Sequence, residues 1–241
     1  MFRWLIGTIA LSMMATGALA ADPVEIHIGY LGHAGVKSTL SLVEQPADND
    51  GIAGARLAIE DNNTTGKFLN QRFTLDEVKV KDSDDVARVA TDLAGRNDYI
   101  ITDLPADALL KVADALRDRG TVLLNAGAID DRLREQDCRA NIIHVAPTRS
   151  MLADALGQYL VWKQWKRWLL VAGSHDQDKL YADALRRAAI RFGAKIVQER
   201  TFEDTGGARR TDSGVTLIQR QMPVFTQQAP AYDVLVAADE S

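Results

Sequence analysis

The 241-residue sequence predicts an α/β fold of parallel sheets covered by helices on both faces, built as two successive units. Two observations carry this reading. Short apolar segments that read as strands alternate with amphipathic helical segments of about ten to fifteen residues, the signature of strand–helix–strand crossovers. The run then breaks near 146–149, after "HVAP", and a fresh strand–helix–strand series begins, which puts a boundary between two units there.

"VEIHIGYLG" alternates Val24, Ile26, Ile28 and Tyr30 and stops at glycine, a strand feeding a loop. A helix over 52–62 follows, with Ile52, Ala55 and Ile59 on its apolar stripe. "RFTLDEVKV" is the second strand. Ser83, Asp84 and Asp85 then offer caps to a helix whose Val86, Val89, Ala90 and Leu93 recur at helical spacing. "DYIITDL" is a third strand, and Pro105 suits the first turn of a helix buried along Leu109, Val112, Ala113 and Leu116 and ended by Gly120. "TVLLNAG" and "NIIHVAP" are two further strands.

The second unit opens with a helix whose expected apolar face is Leu152, Ala155, Leu156, Tyr159 and Leu160. Trp162, Trp165 and Trp168 stand three apart at its end, beside a strand, a spacing that predicts hydrophobic packing rather than a ligand box. "WLLVAGS" is a strand. The helix after it aligns Tyr181, Ala184, Leu185, Ala188 and Phe192 and stops at Gly193; "AKIVQE" is the next strand. Over 201–228 the pattern weakens to one short helical stretch near 215–221, before "YDVLVAADES" gives a last strand.

Arg3, the apolar run 4–15 and the small residues Ala18, Leu19 and Ala20 read as an export signal over 1–20, cleaved before Ala21. The apolar run is shorter than the roughly 20 residues a membrane span needs, so direct membrane insertion is not expected. With 28 basic and 33 acidic residues, a net charge of −5 and no basic stripe, the chain lacks the electrostatic footprint of a nucleic-acid binder. Cys138 is the single cysteine, so no intrachain disulfide can form, and with no activating motif around it the residue reads as structural.

"PADNDGIAGARLAIEDNNTTG" begins like a calcium loop. With Gly51 at loop position 6, Asp48 and Asp50 fill positions 3 and 5, but Pro46 falls at 1 and Leu57 at 12, where oxygen ligands are required. The metal reading fails on those two positions. Asn49 or Asp50 as a side-chain cap for the first helix is the expectation.

From Val24 onward the order of elements resembles the type 1 periplasmic solute-binding proteins, of the branched-chain amino-acid transporter kind. "DGIAGARLAIEDNNTTGKFLNQRFTL" is similar to that family's Gly-x-x-x-Ala-x-Glu-x-Asn-x-x-Gly-Gly helix and turn. "DALLKVADALRDRGTVLLNAGAID" resembles its helix and strand leading to a ligand loop, and "APTRSMLADALGQYL" its crossover into the second lobe. "WLLVAGSHDQDKLYADALRRAAIRFGAKIVQERTF" resembles that lobe's opening strand–helix–strand unit. "TFEDTGG" and "QMPVFTQQAPAYDVLVAADE" are similar to a subgroup linked to pyrroloquinoline-quinone (PQQ)-dependent alcohol dehydrogenase systems.

The resemblance implies two Rossmann-like lobes, 21–147 and 148–241, closing on a small-molecule ligand in the periplasm and passing it to an ABC transporter permease, with no catalysis and no cofactor. Family chains continue past the final strand, so a C-terminal truncation and an incomplete second lobe with exposed apolar surface are expected. In amino-acid-binding relatives the loops carry a Ser-rich Gly-Pro turn, a Ser/Ala/Thr turn and a Tyr-Gly pair. The matching places here are Thr102-Asp103-Leu104-Pro105, Asn125-Ala126-Gly127-Ala128 and Gln177-Asp178, so the amino-acid clamp is dismantled.

Ligands of open parallel sheets bind beyond the carboxyl ends of the strands. The candidate ligand residues are therefore His33, Thr102, Asp103, Asn125, Ala126, Gly127, His175, Asp176, Asp239 and Glu240. No His-x-x-x-His pair is present, and a metal is not expected. Two other functions stay open: a sensor that reports its ligand to a membrane receptor, and an enzyme. The enzyme has no phosphate-cradling loop, nucleophile elbow or paired-carboxylate motif behind it.

Overall fold

The structure, a computed structural model, describes residues 22–34, 47, 49–202 and 226–239. The expected export signal, the helical stretch near 215–221 and Glu240 lie outside them.

The first sheet is built from β1 (Val24–His33), β2 (Gln71–Val80), β3 (Tyr99–Asp103), β4 (Val122–Asn125) and β5 (Ile142–His144), in the order β2-β1-β3-β4-β5. Every pairing is parallel. Parallel neighbours need crossovers, and α1 (Ile52–Leu69), α2 (Val86–Ala94) and α3 (Ala106–Ala115) supply three of them. Period-two alternation along β1 covers both faces of the sheet. Leu31 joins Leu93, Ile100, Leu109, Val112 and Leu123 in one core, while Tyr30 points the other way and packs with Ile52 and Ala55 of α1.

The second sheet comprises β6 (Arg167–Gly173), β7 (Lys195–Phe202) and β8 (Val234–Ala238), ordered β7-β6-β8 and again all parallel. Its core joins Trp168 and Leu170 to Leu185, Ala188 and Ala189 of α5 (Asp176–Phe192) and to Ala153 and Leu160 of α4 (Arg149–Trp162). Asp233 pins the start of β8 to β6 by accepting from the backbone N–H groups of Lys166 and Arg167, at 3.0 and 2.8 Å. No helix among the described residues is long and apolar enough to cross a membrane.

Several local expectations need correction. The first residue before α1 is Gly51, at φ 80°, and no side chain caps the helix; Asp50 instead accepts from the Gly51 N–H at 3.1 Å, and the Asn49 carbonyl accepts from Ala53. α1 runs seven residues past the expected end, through Thr64, Thr65 and Gly66. There Asn63 is tied to β2, its side chain donating to the Phe73 carbonyl and accepting from the Phe73 N–H. Tertiary bonds thus override weak helix formers.

On α4 the inward face is Ala153, Gly157 and Leu160, while Leu152, Ala155 and Tyr159 are exposed. Only Trp168 of the tryptophan trio packs inside, donating its Nε1–H to the Trp165 carbonyl at 2.7 Å. Trp162 is 70% exposed, with the Lys163 ammonium 4.5 Å from its ring centre. Cys138 is exposed rather than packed.

Candidate functional site

Because all strands of each sheet are parallel, their carboxyl ends share one edge, and register decides which residues meet there. In the first sheet Gly32 lies opposite Asp103, Thr102 opposite Asn125, and Asn125 opposite His144. Four strands thus deliver their last or next-to-last residues to one edge.

Asp103 is held from a strand distant in sequence. Its Oδ2 accepts from the Tyr30 hydroxyl at 2.9 Å, a bond between residues 73 apart in sequence. Two glycines wall it in. A Cβ on Gly51 would fall 2.5 Å from Asp103 Oδ2 and 2.8 Å from the Tyr30 hydroxyl, and one on Gly127 would fall 2.6 Å from Asp103 Oδ1. Gly51 is required twice over, since its positive φ also disfavours any residue with a Cβ. Burial, then the hydrogen bond and charge of Asp103, then the charges of Asp50 and Glu77 raise the Tyr30 pKa, so the phenol stays a donor.

Asn125 is wholly buried and spends its side chain on its own loop. Its Oδ1 accepts from the Ala128 N–H at 2.9 Å and its Nδ2 donates to the Ala128 carbonyl at 2.7 Å. That fixes the amide's orientation, so the Nδ2 also faces His144 Nδ1, at 3.0 Å. Thr102 is likewise buried and its hydroxyl donates to the Leu124 carbonyl at 3.3 Å. Both hold the edge in shape rather than face outward. Ala126 is exposed and its N–H continues the β3–β4 ladder by donating to the Thr102 carbonyl. His33, last residue of β1, sets its Nε2 2.7 Å from Asp82.

In the second unit His175 precedes α5 and forms a capping box with Asp178, whose buried carboxylate accepts from the His175 N–H at 3.0 Å. Asp176 sits exposed in the first turn, paired with Lys179 at 2.9 Å; that hydrogen bond and charge lower its pKa. Asp239 follows β8 and is exposed. Among the described residues no three His, Cys, Asp or Glu side chains come together in a metal-binding group.

Polar contacts between the two units run through residues the sequence reading passed over. Arg149, 4% exposed, pairs with Asp130 at 3.1 Å and donates to Gln177 on α5 at 2.5 Å. Asp131 accepts from Ser150 at 2.9 Å and from Arg187. No short pattern flags such a set, because its members come from three separate segments. Two depressions lie at the opposite, amino ends of the strands, one beside Thr121, Val122 and Arg139, the other beside Pro23, Asn70 and Gln71.

The sequence profile of the periplasmic binding protein family matches residues 33–212. The chain belongs to that family. Solved periplasmic binding proteins share its fold. One from Burkholderia mallei is 20% identical with a TM-score of 0.55, over 92% of this chain and 54% of its own. A branched-chain amino acid ABC transporter periplasmic ligand-binding protein from Burkholderia xenovorans is 17% identical with a TM-score of 0.63, over 90% of this chain and 61% of its own. The branched-chain amino acid transporter substrate binding protein of Streptococcus pneumoniae, solved with isoleucine, is 18% identical with a TM-score of 0.56, over 88% and 56%. The chain therefore spans less than two thirds of the length of these structures. No curated protein matches it.

Proposed function

We propose that this periplasmic binding protein is the solute-binding component of an ABC transporter, taking a small molecule between a first lobe, 21–147, and a second, 148–241, and delivering it to a permease. The carrying observation is the family match over 33–212, which takes in β2 to β7, strands of both sheets, and each sheet is parallel with its strands ending on one loop edge. Closure of two lobes would be stabilised by contacts that only the shut form makes. Asp103, Gly127, Ala126, His33, His175, Asp176, Asp239 and Glu240 are the proposed ligand-facing positions, with Thr102 and Asn125 shaping the first lobe's edge from beneath. The role is binding without turnover.

Export to the periplasm through the 1–20 segment and an association with PQQ-dependent alcohol oxidation belong to the same proposal. They are supported by the residue patterns at 1–20, 201–207 and 221–240. Cell fractionation with N-terminal sequencing tests the first, with Ala21 expected as the mature terminus.

A thermal-shift panel of amino acids, alcohols, short acids, amines and PQQ tests binding. A solute held only by the folded state at about 100 times its Kd adds about 2.7 kcal/mol of stability. The expected result is a concentration-dependent rise in Tm with one class of small solute. A panel that leaves Tm unmoved, or steady turnover of an alcohol or aldehyde by the purified chain, overturns the reading.

A further inference from the structure

Resting on that binding role, we infer that the first lobe's edge selects a solute bearing an amine and rejects free carboxylates. The argument begins with how completely Asp103 is fixed. β3 delivers it beside Gly32, the β1 residue Tyr30 bonds one carboxylate oxygen, and the backbones of Gly51 and Gly127 abut the two oxygens. Three separate segments therefore determine where this charge sits.

Among the described residues its acceptor capacity is largely unspent. An ionised carboxylate offers about four lone-pair sites, and among the described residues the side-chain partner of Asp103 is the Tyr30 hydroxyl alone. The surroundings add negative charge, since Asp50 and Glu77 act on the same phenol, and Glu77 already holds Arg56 at 2.5 Å. A partly exposed carboxylate with spare acceptors, covered when lobes close, needs a donor of opposite charge to offset its lost water.

The same geometry removes the obvious place for a ligand carboxylate. Gly51 immediately precedes α1, and a helix N-terminus favours negative charge. Here the Gly51 N–H already donates to Asp50 Oδ1 at 3.1 Å, and a Cβ on Gly51 would fall 2.5 Å from Asp103 Oδ2, so the protein's own carboxylates stand beside that position and repel a ligand's. An ammonium group, in contrast, gains both the charge and the free lone pairs.

The test titrates the full chain with n-butylamine, 1,4-diaminobutane, n-butanol, n-butyrate and leucine by isothermal calorimetry. The amines are expected to bind at least tenfold more tightly than butyrate, and Asp103→Asn, which keeps the shape, is expected to cut amine affinity tenfold or more while leaving butanol nearly unchanged. Should that variant fail to fold, Tyr30→Phe serves instead, with amine affinity expected to fall several-fold. Tighter binding of butyrate or leucine than of amines, or amine affinity unchanged in the variants, overturns the amine assignment while leaving the solute-binding role standing. Absence of binding by these probes and by every member of the wider panel sinks both.

Discussion

His144 shows how one side chain's protonation is written into the first lobe. The Asn125 amide is oriented by Ala128, so its Nδ2 donates and His144 Nδ1 must accept, which the imidazole does only while neutral. Burial, then the nearby Arg134 charge, lowers the His144 pKa. Above about pH 6.5 the ring is neutral in folded and unfolded chains alike and the group contributes no pH dependence. As pH falls from there toward the depressed folded value, the unfolded chain takes up the proton first and stability drops. His144→Gln is expected to lose less stability than the native chain between pH 7.5 and pH 5, in urea unfolding at a series of pH values. Equal slopes for the two proteins would remove His144 as the cause. Neither Asn125's loop-closing role nor the tautomer was readable from the sequence, where Asn125 looked like a ligand residue. It lies opposite His144 where β4 pairs with β5, a pairing no local pattern announces.

At the level of elements, strand identity and the buried faces of α3 and α5 were legible, because an apolar stripe at helical spacing needs a surface to cover it. On α4 only Leu156 and Leu160 of the expected face pack inward, while Leu152, Ala155 and Tyr159 are exposed. Its sequence is apolar on more than one side, and the choice of inward face fell to α5, whose Ala188 and Phe192 pack against Gly157. A Cβ on Gly157 would lie 3.2 Å from Phe192, 3.3 Å from Ala188 and 3.4 Å from Trp168, so this glycine permits the close approach of the two helices. Gly157→Leu overfills that contact and is expected to cost about 1–3 kcal/mol in urea denaturation. Ile190→Leu, at a site 82% exposed, is the control expected to change little. A neutral Gly157→Leu would show that α4 is free to move aside.

For the whole molecule, the connection between the lobes is polar and partly buried. Arg149 begins α4, yet its guanidinium is held by Asp130 from the first lobe and by Gln177 from the second. Removing Asp130 leaves a buried cation short of its carboxylate, a change that costs about 3–5 kcal/mol in comparable sites. Asp130→Ala is therefore expected to lower the urea midpoint strongly. Arg149→Met with Asp130→Ala together should recover part of the loss, since two apolar replacements leave no stranded charge. An Asp130→Ala protein as stable as the native chain would mean that the pair carries no net weight.

The sequence by itself determined the alternation of strands and helices, the parallel α/β class and the family resemblance. These follow from short-range periodicity and from turn residues, which act within one or two turns of chain. Tertiary structure alone decided which of the carboxyl-edge residues face outward and which are consumed as supports. Tyr30 and Asp103 meet only because β1 and β3 lie side by side in the sheet, and Gly51 and Gly127 matter only because that carboxylate stands between them. Side-chain chemistry is local in the chain, whereas a binding surface is assembled from segments far apart along it.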